Sequence, residues 1–441
     1  VKLHKNLLVT LRRVAFKLSV AVNVMLMMIV SGCSEGGFKE SRTFWLPWFD
    51  GSQYSWNSVP IRTLTSYSPM KGGAAALVIQ PRYRDNQLFG QPPRIHWFFD
   101  LTTQQGVARD VASLQALVVY AHMERLMEMD LEAGGYGYLN WPRKVALQAR
   151  VVEGNGDQLA SNALYMPRFD AIIVVNYERF DLPISMNGGV IAHEHFHALF
   201  QNIVLKRLPS DFLQEKPLLP MFCHSKKHLF QQFGFLPEET IGSLLASEEP
   251  DSRDWESRQP ESPAHRDQYN QMILRAWNEG SADFWGWLYL DDSDFVFRSR
   301  REEGNVRELN DEINPLPEQT YLKLLVSNSR STVLQRQAYR MGTSLARFLK
   351  VILVSESKGK SLQETLNSER IAAARNFMKA LELLSQELSQ VPSGSYLSPL
   401  RLAEVVIQSL GNEPTSHQCE AFRSLVGGSS EGDKMILRWC P

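Results

Sequence analysis

The chain has 441 residues, of which 44% are hydrophobic and 22% charged, and 47 Lys and Arg face 48 Asp and Glu for a formal net charge of -1. This is globular composition, which excludes a disordered or fibrous chain, and the near-neutral balance leaves no electrostatic footprint for nucleic acid. The length allows two or three packed units or one large domain with insertions, and no long internal period recurs, which argues against a solenoid or propeller.

The first residues, "VKLHKNLLVTLRRVAFK", carry Lys2, Lys5, Arg12, Arg13 and Lys17 and no acid. An apolar run of about 13 residues follows, "LSVAVNVMLMMIV", shorter than the roughly 20 residues that span a bilayer. A basic head, an apolar middle and small residues before a break describe a secretory signal over 1–32. Its ending, "VSGC", resembles the lipobox of bacterial lipoproteins. That resemblance makes Cys33 the acylated first residue of the mature chain and implies a lipid-anchored protein of the bacterial cell envelope. Ser34, being no aspartate, fits sorting to the outer membrane where there are two. A plain membrane anchor or an uncleaved signal is the alternative. Cys223, Cys419 and Cys440 remain for a compartment where disulfides persist; Cys419 and Cys440 bracket the C-terminal tail and could bridge it.

Residues 33–59 read as a tether passing into folded structure. Over 60–186 strand-like runs dominate, among them "AAALVIQPRY", "RIHWFFDL", "KVALQARVVEG" and "DAIIVVNY", rich in β-branched or aromatic residues and bounded by turn formers. One long helix interrupts them, "ARDVASLQALVVYAHMERLMEMDLEAG", with apolar residues at three- and four-residue steps before a glycine stop. Over 187–441 the spacing is helical. Within it, 208–265 reads as an insertion or lid, because "SEEPDSRDWESRQPESPAHRD" is charged, proline-bearing and nearly free of aliphatics. Strands first and helices after predict an α+β fold of two lobes, β-rich then mostly helical, with a cleft between them.

The helix "GGVIAHEHFHALFQNIVLK" packs three histidines and a glutamate into five positions. Residues four apart lie about 40° apart around a helix, so His193 and His197 share a face and could grip one ion. Glu194 flanks that face, within reach of a metal-bound water but not of the metal, and His195 points nearly opposite. A catalytic zinc needs a third protein ligand and an open position. "AWNEGSADFWGWLY" offers Glu279, and one turn on Asp283, which could accept the free ring N–H of His193. An ordinary surface acid is the bland reading of Glu279, but Trp277, Phe284, Trp285 and Trp287 around it argue for a buried helix on which an acid wants a cation.

HExxH followed by N-E-G-x-A-D resembles the gluzincin metallopeptidases, thermolysin-like and fungalysin-like. The resemblance covers roughly residues 105–350. It implies a Zn²⁺ site of His193, His197 and Glu279, with Glu194 activating a zinc-bound water. "SNALYMP" resembles the family's substrate-pairing edge strand, which would make Asn162 and the backbone of Ala163 contacts for an extended peptide. The family places an oxyanion donor, often histidine, three residues before a glycine on a later helix; here that position is Tyr339, with Tyr269 or His265 as alternative donors. Ala198 also departs from the glycine usual after the second histidine.

The reading is therefore a secreted, lipid-anchored zinc metallopeptidase with a peptide or protein substrate and membrane contact through Cys33. The rivals are a zincin-fold binding or chaperone-like lipoprotein without turnover, and a metal-dependent hydrolase of something other than peptides.

Overall fold

The computed structural model describes residues 42–84, 87–149, 151–152, 158–159, 162–175, 182–209, 212, 262–299, 307–310, 312–329, 331–354 and 362–440. The chain divides after Arg42, and the fold below is that of the second unit, Thr43–Pro441. The secretory signal, the lipidation residue Cys33, Cys223 and nearly all of the expected insertion lie outside the described residues. No helix among the described residues is long and apolar enough to cross a membrane.

Folded structure starts earlier than the tether expected to residue 59. Strands β1 (Arg42–Phe49) and β2 (Tyr54–Ile61) already form part of a sheet. The prolines of this stretch resemble a linker, but its apolar residues alternate: Phe44 and Leu46 are fully buried while Trp45 between them is exposed, the period of a half-buried strand. With β7 (Trp97–Asp100) and β8 (Gln105–Ala108) they make a four-stranded sheet in the order β2-β1-β8-β7, and β3 (Leu64–Tyr67) pairs with β4 (Met70–Gly72).

The sheet that matters for the site has five strands. β5 (Ala75–Arg84), β6 (Gln87–Gln91), β9 (Arg143–Ala149), β12 (Ala163–Met166) and β13 (Ala171–Val175) run in the order β12-β13-β9-β5-β6. All five residues of β13, "AIIVV", are buried, as an interior strand with parallel pairing requires. β12 is an edge strand, antiparallel to β13 with Ala163 opposite Val174 and Tyr165 opposite Ile172. A separate short pair joins β10 (Val151–Val152) to β11 (Gln158–Leu159). Helix α1 (Val111–Ala133) is the expected interruption: Asp110 caps it by accepting the Ser113 N–H at 2.7 Å, and Gly134 ends it at φ 89°.

From Gly188 onward the described elements are all helices: α2 (Gly188–Ile203), α3 (Pro263–Leu290), α4 (Phe295–Ser299), α5 (Gln319–Asn328), α6 (Ser331–Leu353), α7 (Leu362–Leu388), α8 (Arg401–Ser409), α9 (Ser416–Val426) and α10 (Ser430–Trp439). The fold is thus mixed α and β, with strands concentrated before the HExxH helix and helices after it. Cys419 and Cys440 form the disulfide that pins the last two helices.

Helix α3 is buried along most of its length, and glycines set how closely its neighbours approach. A Cβ on Gly280 would lie 2.3 Å from the carbonyl oxygen of Gly342 on α6, and one on Gly286 would lie 2.8 Å from that of Gly189 on α2. Two backbone-to-backbone approaches therefore clamp α3 between α2 and α6, and Gly280 follows Glu279 directly. Asn187 fixes the start of α2: its Oδ1 accepts the N–H groups of Gly189 and Val190 at 3.1 and 3.3 Å, while its Nδ2 donates to the Phe295 carbonyl at 2.6 Å.

Candidate metal centre

One face of α2 carries His193 and His197, and the clamp just described brings α3 against it. The two Nε2 atoms are 3.1 Å apart, and Glu279 Oε2 lies 3.6 Å from that of His193 and 4.0 Å from that of His197. Tetrahedral coordination at about 2.0–2.1 Å puts ligand atoms roughly 3.3–3.4 Å apart. The three separations bracket that value, so one ion fits among these atoms without rearrangement of either helix. All three side chains are buried, and a buried carboxylate wants positive charge beside it. The group can hold a metal ion, and His₂Glu is a donor set that zinc uses.

The second nitrogen of His193 is anchored where the sequence expected it: Nδ1 lies 2.9 Å from Asp283 Oδ1. This leaves Nε2 to face the centre. Asp283 is held in turn by Arg307, which the sequence did not bring forward. The Arg307 Nε donates to Asp283 Oδ2 at 3.2 Å and its Nη2 contacts Oδ1; the same Nη2 lies 3.9 Å from Glu279 Oε2. Arg307 follows α4 with no local pattern around it, so only the three-dimensional fold identifies it.

Charge in the centre is tightly coupled. Burial disfavours an imidazolium at His193, but hydrogen bonding to Asp283 and then Glu279 outweighs it and raises its pKa to about 9. Burial, and then the charge on His193, lowers His197 to about 4. Glu279 stays well below the usual carboxylate range although burial opposes this, because His193 donates to it and both histidines and Arg275 attract its charge. Positive charge belongs among these side chains, as a proton on His193 or as a metal cation in its place.

Glu194 points off the flank of the same helix. Its Oε2 accepts the backbone N–H of Tyr165 on edge strand β12 at 2.7 Å. Burial, reinforced by the charge of Glu279 and opposed by that of His193, raises its pKa to about 7. The carboxylate is thereby fixed beside the strand expected to align an extended peptide. On that strand Asn162 turns its Oδ1 back onto the N–H of Ala163 at 2.9 Å, and its carbonyl accepts the Val175 N–H at 2.8 Å. The Tyr165–Glu194 bond was not expected, although "NALY" one strand upstream of HExxH is its only sequence trace.

Tyr339 is buried on α6, three residues before the Gly342 that touches Gly280. Its ring lies between two guanidinium groups, Arg275 at 5.3 Å and Arg307 at 5.2 Å from the ring centroid, and its Oη accepts from Arg275 Nη2 at 3.4 Å. Burial, then the charge of Glu279, pushes the phenol up to about 12, so it remains a proton-bearing donor. The alternative donors are corrected. Tyr269 donates to the Leu397 carbonyl at 3.0 Å, and His265 uses both nitrogens on Tyr396 Oη and the Lys323 carbonyl, each at 2.9 Å. Both lie near the start of α3, several turns before Glu279, and tie that end of the helix to its neighbours.

His195 does point away from the centre. Its Nε2 meets Asp130 Oδ2 of α1 at 2.8 Å with both side chains fully buried. The chain matches no protein-family model and no curated protein, so the functional reading rests on this geometry.

Proposed function

We propose that this chain is a zinc-dependent metallopeptidase of gluzincin type with a two-lobe zincin arrangement, held in the bacterial envelope by lipid on Cys33. The observation that carries the reading is the convergence of His193, His197 and Glu279 from two sequence-distant helices, with Glu194 beside them and bonded to an edge strand. When bound there, zinc supplies Lewis acidity that polarises the scissile carbonyl and acidifies the attacking water. Everything else belongs to the chain. The outer edge of β12 receives an extended substrate, with the backbone of Ala163 as a pairing point and Asn162 at the strand's head. Glu194 takes the proton of the attacking water and delivers it to the leaving nitrogen. Tyr339 donates to the oxygen on which charge develops. Asp283, held by Arg307, keeps the His193 ring in the orientation that presents Nε2 inward.

Two rivals compete: a binding lipoprotein without turnover, and a hydrolase of non-peptide substrates. The complete set of three donors plus a positioned carboxylate favours catalysis over a scaffold, because a scaffold needs none of the four. The edge strand bonded to Glu194 favours peptide over other substrates. Incubating the purified full chain with casein and a mixed peptide library, with and without a chelator, and measuring metal content in parallel tests all three. Chelator-sensitive cleavage with about one zinc per chain is expected; zinc without cleavage of any peptide would overturn the peptidase reading.

A further inference from the structure

Arg275 has no assigned work in the chemistry above. It lies on α3 one helical turn before Glu279, so the two side chains share a face. Among the described residues no carboxylate lies within ion-pair distance of its guanidinium, and its buried Nε has no hydrogen-bond partner. What it touches is Tyr339, through Nη2 at 3.4 Å and the ring face at 5.3 Å. Arg307, on the same ring, is by contrast paired through two nitrogens with Asp283. Arg275 is only partly buried, so a group arriving from solvent can reach it.

The charge count sharpens the point. A divalent ion together with Arg275 and Arg307 outnumbers the three carboxylates of Glu194, Glu279 and Asp283 by one. Once Glu279 serves the metal, the carboxylate whose charge Arg275 attracts is committed elsewhere. A guanidinium left so, beside a phenol that cannot neutralise it, is a receptor for a planar anion, and a carboxylate matches its fork of donors.

We infer that Arg275 binds a carboxylate of the substrate close to the bond being cut. Two sources offer that chemistry, the free C-terminus of a short peptide and the side chain of an Asp or Glu residue. Tyr339 orients the guanidinium from below, and substrate specificity thereby becomes part of the α3 face that also presents Glu279. This deepens the peptidase reading and rests on it.

The experiment compares matched peptides on the zinc-loaded full chain. One has a free C-terminus, a second is amidated, and a third is amidated with a Glu near the scissile bond, set against its Gln counterpart. Values of kcat/KM about 30- to 100-fold higher for the carboxylate-bearing member of one pair are expected, and the favoured pair names the source. In Arg275→Gln that ratio collapses towards one, while Arg275→Lys retains part of it. A second readout does not need turnover: calorimetric titration of zinc-loaded Glu194→Gln protein with the two members of the favoured pair, the carboxylate-bearing one binding more tightly and losing that advantage when Arg275→Gln is added. Equal cleavage of both members of both pairs, or equal binding of the two members of the favoured pair, overturns the inference while leaving the peptidase reading intact. No cleavage of any peptide or of casein by metal-loaded protein overturns both.

Discussion

Helix α2 buries histidines on two faces, and the faces differ in what they leave unsettled. On the rear, His195 and Asp130 form a single contact at 2.8 Å, fully buried and one to one. On the front, His193 and His197 point their Nε2 atoms at one another at 3.1 Å, with the Glu279 carboxylate at 3.6 and 4.0 Å. Burial is similar, and so are the residue types. The His–Asp contact is one to one, with no third ligand atom converging on it among the described residues. Three ligand atoms converging on one point are a different arrangement, one that can share a cation. Buried histidine is therefore no sign of a metal centre in itself; convergence of three ligand atoms on one point is.

Activity should fall furthest on the front face. Glu194→Gln is expected to lower kcat/KM by 10²–10⁴-fold, the range for loss of a general base, while zinc content stays near one per chain, because Glu194 is fixed to the Tyr165 N–H and not to the ligand set. His197→Ala should lose zinc and activity together. Metal analysis beside peptide kinetics separates these outcomes, and a fully active Glu194→Gln protein would end the assignment of the base.

The rear face should answer in stability and not in metal. His195→Ala leaves the Asp130 carboxylate buried without its partner and opens a cavity, at a cost of about 3 kcal/mol. Denaturant midpoints should show this while zinc stoichiometry is unchanged. Loss of zinc at native stability would mean that the two faces are not separable and that the rear pair tunes the ligands.

Much of this contrast was legible in the chain itself. The i, i+4 spacing puts His193 and His197 together and His195 opposite on any helix, and Glu279 with Asp283 repeats the logic on α3. These are short-range statements, and they survive folding because a helix is locally determined. Arg307 and Arg275 escaped because isolated arginines on helical or irregular segments are ordinary surface residues until a partner arrives from elsewhere. Tyr269 and His265 failed as oxyanion donors because sharing a helix with Glu279 says nothing about distance along its axis. The strands at 42–61 were hidden by prolines that resemble a linker, although the buried alternation of Phe44 and Leu46 is present there. Residue type was visible throughout; which side chain closes against which depended on the glycine contacts between helices.

Those contacts allow the comparison to be sharpened without touching a ligand. Gly280→Ala places a methyl group 2.3 Å from the Gly342 carbonyl oxygen, and backbone cannot yield as a flexible side chain would. Overpacking of this kind costs 1–3 kcal/mol, offset in part by the helix propensity of alanine, up to about 1 kcal/mol better than glycine. A net loss of about 2 kcal/mol is expected. Because Gly280 adjoins Glu279, zinc affinity should weaken as well, measured by competition with a chromophoric chelator. His195→Ala should leave that affinity alone, so the pair of variants distinguishes a displaced ligand from a merely less stable fold.

The smallest effect concerns the strand that holds Glu194. The fully buried Arg143 of β9 donates to both oxygens of Asp170, at 3.1 and 2.8 Å, and Asp170 also accepts from the Tyr165 hydroxyl at 3.0 Å. Burial raises the Asp170 pKa, but hydrogen bonding to and the charge of Arg143 prevail, and the net direction is downward. A depressed carboxylate contributes stability that is fully present above its unfolded pKa, near 3.9, and is lost as pH falls through the lower folded value. Asp170→Asn keeps one acceptor for Arg143, puts an amide donor where the second oxygen was, and gives up the charge-assisted part. The cost is about 1 kcal/mol where water reaches the partly exposed site. The deficit relative to the parent should be constant above about pH 5 and shrink below pH 4. Urea titrations across that window check the sign: a deficit that grew on acidification would mean that Asp170 does not carry the charge opposite Arg143, and the anchoring of β12 beside Glu194 would need another cause.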